Sequence, residues 1–299
     1  MTILLLGATG QVGWELQRSL APLGALRTPG RGEAELARPD TLRACVNAAE
    51  PRLIVNAAAF TAVDQAESEE GLATTVNGTA PGVLAALAAQ RSIPLVHYST
   101  DYVFDGSLAG AYRESDATQP LNAYGRSKLA GETAILASGA AHLIFRTSWV
   151  YGARGRNFLR TMLRLGAERE RLQVVDDQVG APTWSRMIAQ ATALVLAQCR
   201  APDGSFHLGE RAGLYHLSAG GSASWCEFAR AIFFDGPQRG ALKVREVLPI
   251  PSAEYPTPAR RPANSRLDCS ALREAFGIAL PGWRVSLHQV LEDLAHAAE

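Results

Sequence analysis

Tyr124 and Lys128 stand four positions apart in the segment Tyr-Gly-Arg-Ser-Lys. On a helix that spacing puts both side chains on one face. An ammonium beside a phenol stabilises the phenolate and lowers the tyrosine pKa from its usual value of roughly 10 toward the working range. A tyrosine tuned in this way exchanges a proton with a sugar or alcohol oxygen, and the lysine can also hold the ribose hydroxyls of a nicotinamide cofactor. Alone, such a pair is most often a solvated helix face. Its weight comes from its place, one loop after the segment His-Tyr-Ser-Thr-Asp-Tyr-Val-Phe at 97–104. Thr100 in that segment could hydrogen-bond the same substrate oxygen as Tyr124 and help polarise a carbonyl. The plain alternative is a strand-end threonine that satisfies its own backbone.

A second constellation opens the chain. Gly7, Gly10 and Gly13 follow the apolar run Ile3–Leu6 and precede a helix-like pattern at Trp14, Leu16 and Leu20. A strand that turns at glycines into a helix is the layout of a dinucleotide site. The first glycine permits a tight turn, the second lets backbone approach a pyrophosphate, and the third lets helix pack close to strand. A ligand-free βα turn gives the same triplet, so the flanking elements carry the reading.

These residues need a scaffold, and the rest of the sequence supplies one. Strand-like segments (Gly24–Thr28, Arg52–Ala58, Ile93–Thr100, His142–Val150) alternate with helix-like ones (Pro39–Glu50, Val63–Arg91 with an irregularity at Gly78 and Pro81, Asn122–Leu136). Repeated βα units imply an α/β, Rossmann-like, doubly wound parallel sheet with right-handed crossovers, and ligands then lie beyond the carboxyl ends of the strands. The second half is less regular. Its helix-like pieces include 157–165, 183–198, 224–233 and a last helix from about Ser286, and the proline-rich segment 249–265 reads as an ordered loop. The expected division is a dinucleotide-binding domain at 1–150 and a smaller α/β substrate lobe formed mainly by 151–299, with chain crossing between lobes left open.

The totals bound the partners. Twenty-nine basic and twenty-nine acidic side chains cancel, and no basic block points to nucleic acid or an anionic membrane. No apolar run is expected to span a bilayer and no leader precedes the first strand, so the expected compartment is the cytoplasm. Cys45, Cys199, Cys226 and Cys269 are far apart and read as reduced thiols, and the six histidines form no ligand pair for a metal.

With the glycine triplet, Asn56–Ala59, Ser99–Thr100 and Tyr124–Lys128 in place, the chain resembles the extended short-chain dehydrogenase/reductase superfamily. Segments beginning at Asn56, Val96, Pro120, Arg146, Asn157, Val174 and Arg261 look more narrowly like the dTDP-4-dehydrorhamnose reductase family, in order and from first strand to last helix. That resemblance implies reduction of the C4 ketone of dTDP-4-dehydro-L-rhamnose to dTDP-L-rhamnose, the last step of that sugar nucleotide's synthesis. It implies Tyr124 as proton donor, Lys128 as the residue that holds the cofactor and tunes Tyr124, and Thr100 and Asp101 on the sugar. Gly10, Gln11 and Val12 would line the pyrophosphate. Ala59, Phe60, Thr61 and Tyr98 would pass beside the cofactor, and Trp149 would pack on the substrate. Asn157, Gln178 and Arg261 would lie near the nucleotide diphosphate or base.

The expected cofactor is NADPH, with NADH left open. Arg27 and Arg31 lie where a 2′-phosphate would sit, and within the segment 26–33 no acid precedes Glu33. Some relatives form a metal-bridged dimer through acidic side chains. Arg186 stands where one of those acids would be sought, so no metal is expected, and a homodimer stays open. Two other readings share the motifs: a sugar-nucleotide epimerase, and a non-catalytic regulatory subunit on the same scaffold.

Overall fold

The computed structural model describes residues 2–296. Five strands, β1 (Thr2–Leu6), β2 (Ala25–Arg27), β3 (Leu53–Asn56), β4 (Leu95–Thr100) and β5 (His142–Thr147), pair in parallel. Along them run α1 (Gln11–Leu20), α2 (Asp40–Ala49), the short α3 (Val63–Ala66) and α4 (Glu70–Thr74), then α5 (Ala80–Gln90) and α6 (Ala123–Ala137). Alternation along β1 explains the two faces. Ile3 and Leu5 pack with Leu16, Leu20, Ile188 and Val195, whereas Leu4 and Leu6 pack with Leu42, Val46, Leu84 and Leu87. A strand covered on both faces must be apolar throughout, as 3–6 is.

The irregularity expected near Gly78 is a π turn over Thr75–Thr79, joining α4 to α5. The resulting run Glu70–Gln90 is long and apolar enough to cross a membrane by length and composition, contrary to expectation. Half of its most apolar window is buried here, with Leu84, Leu87 and Ala88 in the core.

After β5 the chain builds a second lobe from β6 (Val150–Tyr151), α7 (Phe158–Glu168), β7 (Arg171–Val175), β8 (Val179–Gly180) and β9 (Thr183–Trp184). It then returns. Helix α8 (Ser185–Gln198) joins the core around α1, and β10 (Gly213–His216) pairs in parallel with β5. The central sheet thus has six strands in the order β10-β5-β4-β3-β1-β2. Residues of α8 and β10, within the segment expected to form mainly the substrate lobe, pack with the central sheet. The reason is visible in the side chains: Ile188 and Val195 of α8 pack in one core with Leu16 and Leu20 of α1, and Tyr215 and Leu217 join it.

Residues from β11 (Ala223–Ser224) through α9 (Trp225–Phe234), β12 (Glu246–Ile250), α10 (Ser270–Phe276) and α11 (Trp283–His296) complete the chain. β12 pairs in parallel with β7, and α7, α9 and α11 enclose a separate core around Leu159, Phe228, Phe233 and Leu287. Ser224 and Glu227 form a reciprocal capping box on α9. The closing helix begins at Trp283, three residues before Ser286.

Candidate active site

The glycine turn is built as its spacing predicts. Gly7 has φ +76°, and a Cβ there would lie 2.5 Å from the Ala58 nitrogen. A Cβ on Gly13 would lie 2.0 Å from the Gly7 carbonyl oxygen, so α1 approaches β1 only without a side chain. A Cβ on Gly10 meets only that oxygen, at 3.3 Å, and the backbone there stays open to a ligand. Gly10 caps α1 with no side-chain bond, and the first turn carries no acid. The N–H groups of Gln11 and Val12 are therefore placed for an anion, which fits a pyrophosphate.

Ala59, Phe60 and Thr61 lie in the coil after β3. The Asn77 side chain, projecting from the π turn, clamps this coil: its oxygen accepts from the Phe60 N–H (2.8 Å) and its nitrogen donates to the Phe60 carbonyl (3.0 Å). It also donates to Ser127 on α6 (3.0 Å). Phe60 and Tyr124 both pack against the small core of Ala66, Ala73 and Ala123. Asn77 was not singled out in the sequence, although the neighbouring Gly78 marks the bend that aims it.

Tyr124 sits in the first turn of α6. Asn122 caps that helix by accepting from the Gly125 N–H (2.8 Å), and it donates to the Arg260 carbonyl (2.8 Å). The Thr100 and Tyr124 hydroxyls lie close enough to interact, and Thr100 works to lower the phenol. Thr100 donates to Asp101 Oδ1 (2.9 Å) and accepts from the Tyr102 N–H (3.1 Å). The two hydroxyls proposed to share a substrate oxygen are thus brought together.

Asp101 stands elsewhere than expected. It is 3% exposed, behind Thr100, and its other oxygen accepts from Ser148 (3.0 Å). Burial raises its carboxyl to about 6, against bonds from Thr100, Ser265 and Ser148 that lower it. It supports Thr100 and does not face the cleft.

The expected lowering of Tyr124 by Lys128 is also not what the geometry gives. Burial, and then the Asp101 charge, push the phenol above its ordinary range, with only the Thr100 bond opposing. Lys128 is buried and turned toward β4. It donates to the Tyr98 carbonyl (2.6 Å), and its Nζ lies 3.2 Å from His97 Nε2. Burial brings its ammonium down to about 8. Tyr98 acts on this site through that carbonyl, because its hydroxyl is bonded to Thr192 of α8 (2.8 Å).

A cleft of about 760 Å³ lies on the second-lobe side. Phe158, Gln178, Trp225, Tyr255, Arg261 and Asp64 are among its lining residues. Gln178 and Arg261 are therefore together, as expected. Arg261 already grips Asp64 through a two-bond fork (3.0 and 2.8 Å), which holds the Asp64 carboxyl below the usual range. The ring of Tyr102 meets Tyr124 edge to face at 5.8 Å. Trp149, at φ +46°, is stacked face to face on Trp225 at 3.5 Å, and Trp225 packs on Phe158. Tyr102 and Trp225 escaped the sequence reading, since neither stands in a spacing pattern of its own.

Asn157 lies toward the glycine turn instead of in the cleft lining. It caps α7 and donates to Gln11 Oε1 (2.9 Å), tying the second lobe to the dinucleotide end of the first. Arg27 is paired with Glu33, and Arg31 is exposed. Arg186 lies between Glu15 (3.3 Å) and Asp293 (2.6 Å). Among the described residues no group of three or more metal-ligating side chains occurs.

Comparison with known proteins agrees with this arrangement. A family model described as RmlD substrate binding domain matches residues 1–296. A Burkholderia thailandensis protein named dTDP-4-dehydrorhamnose reductase is 52% identical, the match covering 98% of this chain and 99% of the relative. The crystal structure of a dTDP-4-dehydrorhamnose reductase from Clostridium acetobutylicum superposes with a TM-score of 0.89 at 33% identity, covering 99% of this chain and 100% of that one. A Bacillus anthracis dTDP-4-dehydrorhamnose reductase in complex with NADP gives 0.87 at 33% identity, covering 98% and 99%.

Proposed function

This chain belongs to the RmlD substrate binding domain family, and from that premise we infer that it catalyses the NAD(P)H-dependent reduction of the C4 ketone of dTDP-4-dehydro-L-rhamnose to dTDP-L-rhamnose. The observation that carries this reading is the 52% identity over nearly the whole of both chains. The Tyr124–Thr100 hydroxyl pair at the end of β4 supports it from the side of the chemistry.

The glycine turn and the N-terminus of α1 would hold the pyrophosphate, with Gln11 and Val12 offering backbone N–H groups. The clamped coil 59–61 would pass beside the cofactor, and Lys128 would hold its ribose. When bound, the reduced nicotinamide supplies the hydride for the carbonyl carbon. Tyr124 delivers a proton to the sugar oxygen as negative charge grows there. A phenol held above its usual range suits this direction, because it stays protonated until a strongly basic oxygen appears. Thr100 orients the phenol, and Asp101 orients Thr100. On the substrate side, Trp149, Gln178 and Arg261 would receive the nucleotide sugar, with Tyr102 and Trp225 completing the wall.

For the cofactor we infer a modest preference for NADPH. Arg27 ends β2 and Arg31 lies just after it, where a 2′-phosphate would be met.

The test is consumption of reduced cofactor with dTDP-4-dehydrorhamnose. One NAD(P)H oxidised per ketone reduced is expected. Conversion without net cofactor oxidation would mean an epimerase, and no conversion by the folded chain would mean a scaffold without catalysis.

A further inference from the structure

The loop between β6 and α7, Gly152–Asn157, carries Arg154, which has no part in the chemistry above. Its backbone is fixed. The Asn157 amide nitrogen reaches Gln11 Oε1 and the Gly152 carbonyl (both 2.9 Å) and lies 3.1 Å from the Arg154 carbonyl. Arg160 Nη1 donates to the Ala153 carbonyl (2.8 Å). Gly155 has φ +75°, and a Cβ there would lie 3.2 Å from Gln11 Cγ. The loop is therefore seated on the first residue of α1, at the pyrophosphate end of the glycine turn. From it the Arg154 side chain reaches Trp14, its guanidinium carbon 3.6 Å from the ring centre. Trp14 follows Gln11 by three positions, on the same face of α1, and helix side chains tilt toward the N-terminus. Among the described residues no carboxylate or carbonyl is bonded to that guanidinium. A stacked guanidinium engages the ring with its face and keeps its N–H groups, which lie in its plane, for oxygen atoms. The one acid of α1, Glu15, is paired with Arg186 (3.3 Å).

We propose that Arg154 is the cationic partner of the cofactor's pyrophosphate, a role that rests on the reductase reading above, so that a loop outside the glycine turn completes the dinucleotide site. The backbone N–H groups of Gln11 and Val12 offer donors and a partial positive charge of about half a unit. A pyrophosphate carries more negative charge than that, and the edge of a guanidinium grips two of its oxygens. Trp14 holds the guanidinium within a helical turn of the N-terminus of α1. The Asn157–Gln11 bond keeps the loop in place against the same turn. With Glu15 directed to Arg186, no carboxylate of α1 competes with the phosphate for Arg154.

The test is direct binding to the full-length chain with no sugar substrate present. Arg154→Ala should raise the Kd for NADPH, read by fluorescence titration, about tenfold at low salt. The gap from wild type should narrow at high salt, because the lost contact is between charges. Arg154→Lys keeps the charge and should recover most of the loss. Adenosine 2′-monophosphate lacks the pyrophosphate, and dTDP belongs to the nucleotide-sugar cleft, so the Kd of each should stay near wild type in Arg154→Ala. A purely structural arginine would weaken both adenine ligands together and without regard to salt. An unchanged Kd for NADPH, a loss shared with adenosine 2′-monophosphate, or a loss confined to dTDP overturns the proposal. If Arg154→Ala does not fold, Arg154→Gln, similar in length and uncharged, gives the same comparison. Wild-type NADPH binding without ketone reduction would count against the reductase reading alone. Normal cofactor consumption with no effect of Arg154→Ala would count against Arg154 alone.

Discussion

At the scale of single residues, the site turns on one transferable proton. Tyr124→Phe removes the hydroxyl that interacts with Thr100 and leaves the glycine turn untouched. Turnover should fall by about 10²–10⁴-fold while NADPH binding, followed by fluorescence titration, stays near wild type. Wild-type turnover in this variant would remove Tyr124 from the mechanism. Cofactor choice is a second residue-scale matter. Arg27 is half exposed and neutralised by Glu33, so a 2′-phosphate must compete with that carboxylate. Glu33→Ala should raise the ratio of kcat/KM for NADPH over NADH, and Arg27→Ala and Arg31→Ala should lower it. A ratio unmoved by all three would assign the preference to other groups. The candidate pair was legible because its spacing is local: Tyr124 and Lys128 both stand on α6, four positions apart. The direction of Lys128 was not, because His97 and the Tyr98 carbonyl that turn it lie about thirty positions away.

At the scale of elements, α6 is fixed to the sheet by the Glu132–Arg146 fork, with side chains 1% and 5% exposed. Removing one partner of such a pair strands the other charge in the core. Glu132→Ala should therefore cost about 3–5 kcal/mol in urea unfolding, and Arg146→Ala a similar amount. A loss under about 1 kcal/mol would show the pair to be dispensable. The strand and helix boundaries of the first half were readable because each buried strand is a continuous apolar run bounded by glycine or proline. The π turn was visible only as a weak spot, since nothing local distinguishes it from a kink until Asn77 finds Phe60.

At the scale of the whole molecule, acid sensitivity follows from two buried groups of opposite sign. His216 on β10 is fully buried. Its Nδ1 faces the Tyr112 and Asp268 carbonyls, and burial followed by the Arg146 charge lowers it to about 3. Below its ordinary value of about 6.5 the unfolded chain takes up a proton that the folded one refuses. Its contribution is thus fully present above that pH and is lost as pH falls toward 3. Asp101, raised to about 6, acts in reverse: between about 4 and 6 the folded state holds the extra proton, and stability falls as pH rises. The two offset each other in that window, and His216 dominates below it. His216→Phe should flatten the loss of stability below pH 4, measured by urea unfolding at several pH values, and an unchanged slope would assign the acid response elsewhere. The change in regularity near residue 150 was legible, and the chain leaves the central sheet there after β5. The return of α8 and β10 to that sheet was not, because Leu-Tyr-His-Leu-Ser reads equally well as a strand of either sheet.

That return bears on how the protein is made. A ribosome releases β5 well before β10, and residues 148–212 must emerge in between. Throughout that interval the flank of Leu143, Ile144 and Phe145 that Gly213–His216 will cover has no partner. An open apolar strand edge invites pairing with another chain. The nascent protein therefore passes through a sticky stage that ends only when β10 has emerged, and a chaperone that shields strand edges would act on it there.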